Sequence, residues 1–400
     1  MVIHETALEI SSPEYINNVE AVLKQLAQSG HPIVRAHLHG KPVYLVVDMA
    51  AAKQIFEDAR SFSFAPIDLE NEQGLTDATK AFVDGGFQSQ LVSASYDGYR
   101  ELRKVLNTAF KSSYSDRMEA VDAHARRHID ALASNVKPGR LDALAFCRQY
   151  WLPLIADIIG VGGLTFDELV HLGKWARTLN EGYGHHGDLE TIKWLTIARE
   201  EVTGVIRRVI AEKTVPPYSA LGYFLHELDR EAAIDLARTF ILGSINSDSG
   251  VLGLQTHLMA QHADQRRQFL VMSEAEQQDA MTELASKEAP VHYMPRFAVR
   301  DVVIRGVEIP AGACLHLAIH AINSCMNPDF NIARGCPVDN TIPFGHARHK
   351  CPGETLARHL IPIFLNGFFK KFANVHVVRC TRDPYSFTRS INELILDIRQ

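Results

Sequence analysis

Cys351 lies in the stretch PFGHARHKCPGETLAR, residues 343 to 358, whose residue types suit a reactive thiolate. Pro352 fits a first helical position, and Glu354 in a first turn complements the helix dipole. A thiolate at such a helix start is stabilised by the positive helix end and by free backbone N–H groups, which lowers its pKa. It is then a strong ligand for iron, with electron density to push toward whatever binds opposite. Phe344 and Gly345 let a tight loop carrying an aromatic ring come close to the sulfur. A lone cysteine is most often a buried small hydrophobe, so the whole stretch, not the bare residue, carries the argument.

Two further groups have spacing that matters. In GYRELRKVLNTAF, Tyr99 and Arg103 are four residues apart and share one helix face. In REAAIDLARTFILGSINSDSGVLGLQTHLMAQH, a polar cluster (Ser244, Asn246, Ser247, Asp248, Ser249) interrupts an otherwise apolar helical segment. Polar groups there cost stability unless bonded, so they face a groove, a cofactor, ordered water or another interior helix.

The elements that position these residues follow from periodicity. PIVRAHLHG and KPVYLVVD form a hairpin around a His-Gly-Lys-Pro turn. From about residue 98 to about 285 apolar residues recur at three- and four-residue spacing, which predicts almost continuous helix. The segment beginning REAAIDLARTF is apolar on every side and should run through the interior. Strand patterns return in VHYMPRFAV, DVVIRGVEIPAG and ACLHLAIHAI, and a last helix and a β-rich tail close the chain. Pro362 should kink that helix at a cost of roughly 3 kcal/mol.

Composition is that of a globular enzyme, 46% hydrophobic and 22% charged over 400 residues. The net charge of -6 argues against nucleic acid as a partner, which needs a basic face. Six scattered cysteines without a C-x-x-C spacing point to reduced thiols in a cytoplasmic protein rather than a disulfide framework. The N-terminus reads as neither signal nor anchor, and no apolar run reaches the ~18 residues that span a bilayer.

Phe344-Gly345-x-x-x-His349-x-Cys351-x-Gly353 resembles the haem-binding loop of cytochrome P450 enzymes, which reads Phe-Gly-x-Gly-x-His/Arg-x-Cys-x-Gly. The resemblance extends over nearly the whole chain. PIVRAHLHGKPVYLVVD resembles the family's first hairpin, YWLPLIADIIGV its Pro-containing helix, and RFAVRDVVIRGVEIPAG the strand pair after its K helix. It implies a soluble bacterial P450 fold, mainly α with small β-sheets, a helix-rich triangular prism crossed by a long central I helix. Residues 1–400 would form a single haem domain. The implied cofactor is haem b (iron protoporphyrin IX), with Cys351 as metal ligand in a loop that includes Phe344 and Gly353. Tyr99, Arg103, Arg296 and His349 match the positions that neutralise the haem propionates, Tyr99 replacing the family's His. Ferredoxin and its reductase are the implied electron donors.

Several positions depart from the family pattern. Ala347 stands where Gly is usual, implying altered loop geometry. Gly243-Ser244-Ile245-Asn246-Ser247 aligns with the family's Ala/Gly-Gly-x-Asp/Glu-Thr, so Asn246 and Ser247 replace the acid–alcohol pair that delivers protons to bound oxygen. An amide cannot relay a proton as a carboxylate does, though Ser247 could hold a water. The family's Glu-x-x-Arg becomes Glu283-Leu284-Ala285-Ser286, and Arg334 is expected to pair with Glu283 directly. The meander NSCMNPDFNIAR is about four residues short of the family pattern.

These residues predict a haem-thiolate oxidoreductase acting on a small hydrophobic or aromatic metabolite in specialised biosynthesis, by hydroxylation or by oxidative aryl coupling. A peroxide-driven or redox-neutral haem catalyst is a second class, and a catalytically silent binding protein of the same fold a third. The family's substrate pockets draw on the 60–95 region, the helices near 165–195 and the tail near 385. Here those contain residues 62–66 and 183–186.

Overall fold

The computed structural model describes residues 4–63, 96–182, 189–246, 248–326, 329–334, 341–383 and 387–399. Ser247, most of 60–95, residues 183–186 and the tail around 385 lie outside them, and so do the expectations that rest on them.

Helices fill the centre and sheets close the chain at both ends. The hairpin forms as expected from β2 (Ile33–Leu38) and β3 (Lys41–Val46), turning through His39 and Gly40 at φ 51° and 73°. β1 (His4–Glu9) joins β2, and β3 pairs in parallel with β9 (Cys314–Leu317), so the first and last thirds of the chain share one sheet. β6 (Met294–Ala298) follows β9, and β4 (Phe62–Ser63) pairs with β6, giving the order β1-β2-β3-β9-β6-β4. β7 (Val302–Ile304) and β8 (Val307–Ile309) make a separate ribbon. A third sheet joins β5 (Gly139–Asp142) to the tail strands β10 (Asn374–Arg382) and β11 (Ile391–Arg399).

The helix Ala143–Ile159 forms the floor of the core. Asp142 caps it, accepting from Ala145 N–H at 2.9 Å, and twelve of its side chains are buried. Gly160 ends it at φ 100°, where a Cβ would lie 2.3 Å from Ser219 Oγ. Against this helix and the Met118–Ser134 helix packs Glu354–Lys371, whose Phe364 and Phe368 meet Phe146 and Tyr150 ring to ring. Glu354–Lys371 stays helical through the buried Pro362.

The central helix departs from the sequence expectation. It runs as Arg230–Ser244, turns at 245–246, continues as a wide π-type segment Asp248–Gly253, and resumes as Leu254–Gln261. Side chains from two other helices cap carbonyls at the break. Asn180 Nδ2 donates to Leu242 O at 2.9 Å, and Trp151 Nε1 donates to Ser244 O at 2.8 Å. Ser244 Oγ bonds back to Phe240 O at 2.6 Å, a pattern that bends helices. The polar residues here break the helix because long-range partners satisfy the backbone that the break exposes.

Candidate active site

The cysteine loop is built from its backbone. Gly345 N–H donates to Ile342 O at 3.0 Å and Cys351 N–H to Phe344 O at 2.7 Å, so the loop closes on itself just before the cysteine. Ile342 N–H in turn donates to the buried Asn323 Oδ1 at 2.8 Å. His346 Nε2 lies 2.8 Å from Glu57 Oε1, tying the loop to the helix Met49–Glu57. Ala347 sits at φ 52°, in the left-handed region. The left-handed turn forms here despite the Cβ, at a local cost of ~1 kcal/mol. The following helix begins at Glu354, two residues later than Pro352 implies, with Gly353 as its cap residue.

Cys351 is solvent-exposed, yet protein packs so densely around it that burial is the largest influence on its thiol and pushes the pKa up. Gly353 N–H donates to the sulfur, and Arg103 and Lys350 also pull the pKa down, while Glu354 pushes it up. Burial wins, which reverses the sequence expectation of a lowered pKa in the protein alone. A bound cation would invert that balance.

Beside the cysteine the structure gathers the other expected residues. Tyr99 and Arg103 share a face of the helix Tyr96–Ser113 and reach the loop together. Tyr99 OH donates to Arg348 O at 2.6 Å, Arg103 Nη2 to Lys350 O at 2.8 Å, and Arg103 Nη1 to Tyr99 OH at 3.4 Å. His349 packs on Tyr99 with ring centroids 4.4 Å apart, and the Arg348 guanidinium lies 4.6 Å over the same ring. Arg296, on β6, is buried, with its guanidinium 4.9 Å over Phe56 and Nη1 donating to Pro295 O at 2.7 Å. Burial lowers its pKa to about 10. Burial, then the cations Arg296, Arg348 and Arg103, push His349 down to about 3, so it is neutral at physiological pH. Three guanidiniums thus converge around one neutral imidazole. Arg348 was not foreseen from sequence, although its place beside His349 was the available signal.

Asn246 turns its amide toward a neighbouring helix. In the orientation that satisfies both ends, its nitrogen donates to Gly173 O at 2.6 Å and its oxygen accepts from Arg177 N–H at 2.9 Å. Both groups belong to the helix Phe166–Gly182, so Asn246 inserts between two turns of a neighbouring helix. Buried Glu283 accepts Asn331 N–H at 3.0 Å, while the Arg334 guanidinium donates to Asp329 O at 2.8 Å. The carboxylate therefore anchors the loop by its backbone.

Elsewhere, a cavity of about 500 Å³ lies between Glu20, Lys287, Glu288, His320 and Arg389 and touches none of the cysteine-loop residues. Among the described residues no group of three His, Cys, Asp or Glu side chains could hold a metal ion. Nor is any described helix long and apolar enough to cross a membrane.

Fold and site together define a helix-rich protein that carries an exposed cysteine beside a cationic cluster. No family model matches the chain. It is 23% identical over 372 residues to cytochrome P450 FAS1 of Rhodococcoides fascians, covering 88% of each chain. It is 24% identical to the mycinamicin IV hydroxylase/epoxidase of Micromonospora griseorubida, covering 88% of this chain and 87% of that one. Among solved structures it is similar to P450BioI bound to an acyl carrier protein carrying hexadec-9Z-enoic acid. That match has a TM-score of 0.79 at 19% identity, over 97% of this chain and 99% of the other. The chain is a distant member of the bacterial cytochrome P450 superfamily, an enzyme of its oxidoreductase class.

The family implies haem iron, and the donor set here fits it. An accessible thiol supplies the soft ligand, and Arg103, Arg296 and Arg348 supply charge for two carboxylates.

Proposed function

We propose that residues 1–400 form one haem domain that binds haem b, with Cys351 as iron ligand. In this reading Arg103, Arg296, Tyr99 and His349, joined by Arg348, neutralise the propionates, and Phe344 and Gly353 shape the loop around the sulfur. The observation that carries the reading is an exposed Cys351 whose loop also holds His349, the imidazole on which the Arg103, Arg296 and Arg348 guanidiniums act. When bound, the haem supplies oxidising power that no side chain has. The chain's own residues hold it. Gly353 N–H and the cations favour the thiolate, and neutral His349 can donate a hydrogen bond without adding charge. The substrate is a small hydrophobic or aromatic metabolite of specialised biosynthesis, and the electrons come from a ferredoxin and its reductase.

The chemistry is hydroxylation or oxidative aryl coupling. Asn246, with its amide committed to Gly173 and Arg177, supplies no acid. Protons must then come by water or from a hydroxyl on the substrate. This favours, as a second reading, a peroxide-driven reaction, in which the oxidant brings its own protons and electrons.

The absorption spectrum of the reduced protein under carbon monoxide, in wild type and Cys351→Ala, tests the proposal. A strongly red-shifted Soret band lost in the variant is expected. Absence of haem in the wild type would refute it.

A further inference from the structure

The cavity that touches none of the cysteine-loop residues runs from exposed side chains to buried ones. Its volume, about 500 Å³, suits one small metabolite. His262 and Asp329 are exposed at its mouth, while Glu288, His320 and Arg389 are buried at its floor. The acids of the floor are already matched. Arg389 sends Nη2 to Glu20 Oε1 at 2.8 Å and to Glu288 Oε2 at 2.7 Å, and Nη1 to Ala289 O at 2.7 Å. Arg382 also donates to Glu20 Oε1, and to Glu288 Oε1 at 3.4 Å. Two carboxylates thus face two guanidiniums, which leaves no net charge in this network to repel or attract a ligand.

His320 supplies what is left over. It lies at the start of the helix Ile319–Met326, only 8% exposed, and its Nδ1 is shut away without a hydrogen-bond partner. Behind it stands His292, also buried, with ring centroids 6.3 Å apart and its own Nδ1 unpartnered. Where Nδ1 has no acceptor to donate to, the proton belongs on Nε2, which leaves one N–H for an occupant of the cavity. After burial, the groups that act on His320 are Arg389, His292, Arg382 and Lys287, and all of them push its pKa down. The imidazole is therefore neutral and sits in a positive field. Lys287, at the end of the helix Glu274–Lys287, lines the same cavity, and Leu258 and Phe330 add apolar wall. A donor in a positive field, beside an ammonium and an apolar surface, matches an organic anion.

We propose that this cavity is a second ligand site, which takes a small organic anion. Its acid group, a carboxylate or a phosphate, is received by His320 and Lys287, and its apolar part rests on Leu258 and Phe330. The site shares no residue with the cysteine loop and does not depend on the haem-thiolate reading.

The test is calorimetric titration of the purified 400-residue chain with benzoate, phenyl phosphate and the uncharged benzamide, repeated in Lys287→Met and His320→Phe. At least one of the two acids is expected to bind about tenfold or more tightly than benzamide, and the tighter acid identifies the group the site prefers. Each variant should weaken that binding about tenfold or more, the effect of losing one hydrogen bond or ion contact to a charged group. Binding of benzamide as tight as that of both acids overturns the proposal, because the pocket would then be read by its apolar wall alone. Unchanged affinity for the acids in the variants overturns it too, since the probe would then sit elsewhere, and so does failure of both acids to bind the wild type. If His320→Phe does not accumulate, Lys287→Met, at a partly exposed position, decides the matter alone.

Discussion

Replacing Asn246 by Asp would restore the acid that the family places in its central helix, and the structure predicts harm rather than gain. The Asn246 amide donates to Gly173 O at 2.6 Å and accepts from Arg177 N–H at 2.9 Å. Those two groups are four residues apart in one continuous helix, the spacing of a ladder hydrogen bond. A carboxylate can accept from Arg177, but it cannot donate to Gly173 and sets a lone pair against that carbonyl. One lost hydrogen bond and a half-buried acceptor facing an acceptor cost about 1–3 kcal/mol. Asn246→Ala removes both bonds without setting a lone pair against the Gly173 carbonyl and costs less, about 1 kcal/mol at most. For 400 residues the unfolding entropy is ~0.8 kcal/mol per degree. Asp should therefore lower Tm by about 1–4 °C and Ala by about 1 °C or less. Calorimetry of both variants, with oxygen consumption by the reduced protein measured alongside, decides the matter. An Asp variant that melts like wild type and consumes oxygen faster would refute the reasoning, because the side chain would then face the oxygen site and not the Phe166–Gly182 helix.

Ala347 at φ 52° pays for a conformation that glycine adopts freely, so Ala347→Gly should stabilise the protein by about 0.5–1 kcal/mol net of glycine's extra unfolded-state entropy. Denaturant titration checks this, and a loss of stability would mean that the Cβ makes a contact worth more than the strain. The response to pH combines two opposite effects. Burial holds His292 and His320 well below their ordinary value of 6.5, so below that pH the unfolded chain takes up protons the folded one refuses, and stability falls on acidification. Burial raises Glu181 to about 7, so between its unfolded value of 4.5 and 7 the folded state holds the extra proton; that stabilisation is lost as pH rises through 7. Glu181→Gln removes only the second effect. Melting curves from pH 5 to 8 should show a steeper acid loss by about one proton and a flatter approach to pH 8 than wild type; an unchanged profile would place Glu181 in contact with water.

The parts of the site legible in the sequence are those whose geometry is local. Tyr99 and Arg103 meet the loop together because four residues is one helical turn, and Gly345, His349 and Cys351 fall within a single turn of chain. The hairpin at His39–Gly40 was equally readable, since its turn residues dictate its backbone. What sequence did not give depends on partners remote in the chain. The break at 245–246 depends on Asn180 and Trp151, whose side chains cap the carbonyls at the break, and no periodicity within residues 230–262 encodes them. Similarly, the guanidinium that reaches the Glu274–Lys287 helix at Gln278 and Thr282 comes from a remote part of the chain. Arg358 lies 76 residues beyond Thr282 and one turn past Glu354, and its spacing suggests no more than a local ion pair with that residue. The pair does form, and Glu354 thereby orients the guanidinium toward Gln278 and Thr282. What holds the Glu274–Lys287 helix is thus found among the side chains packed against it and not within its own sequence.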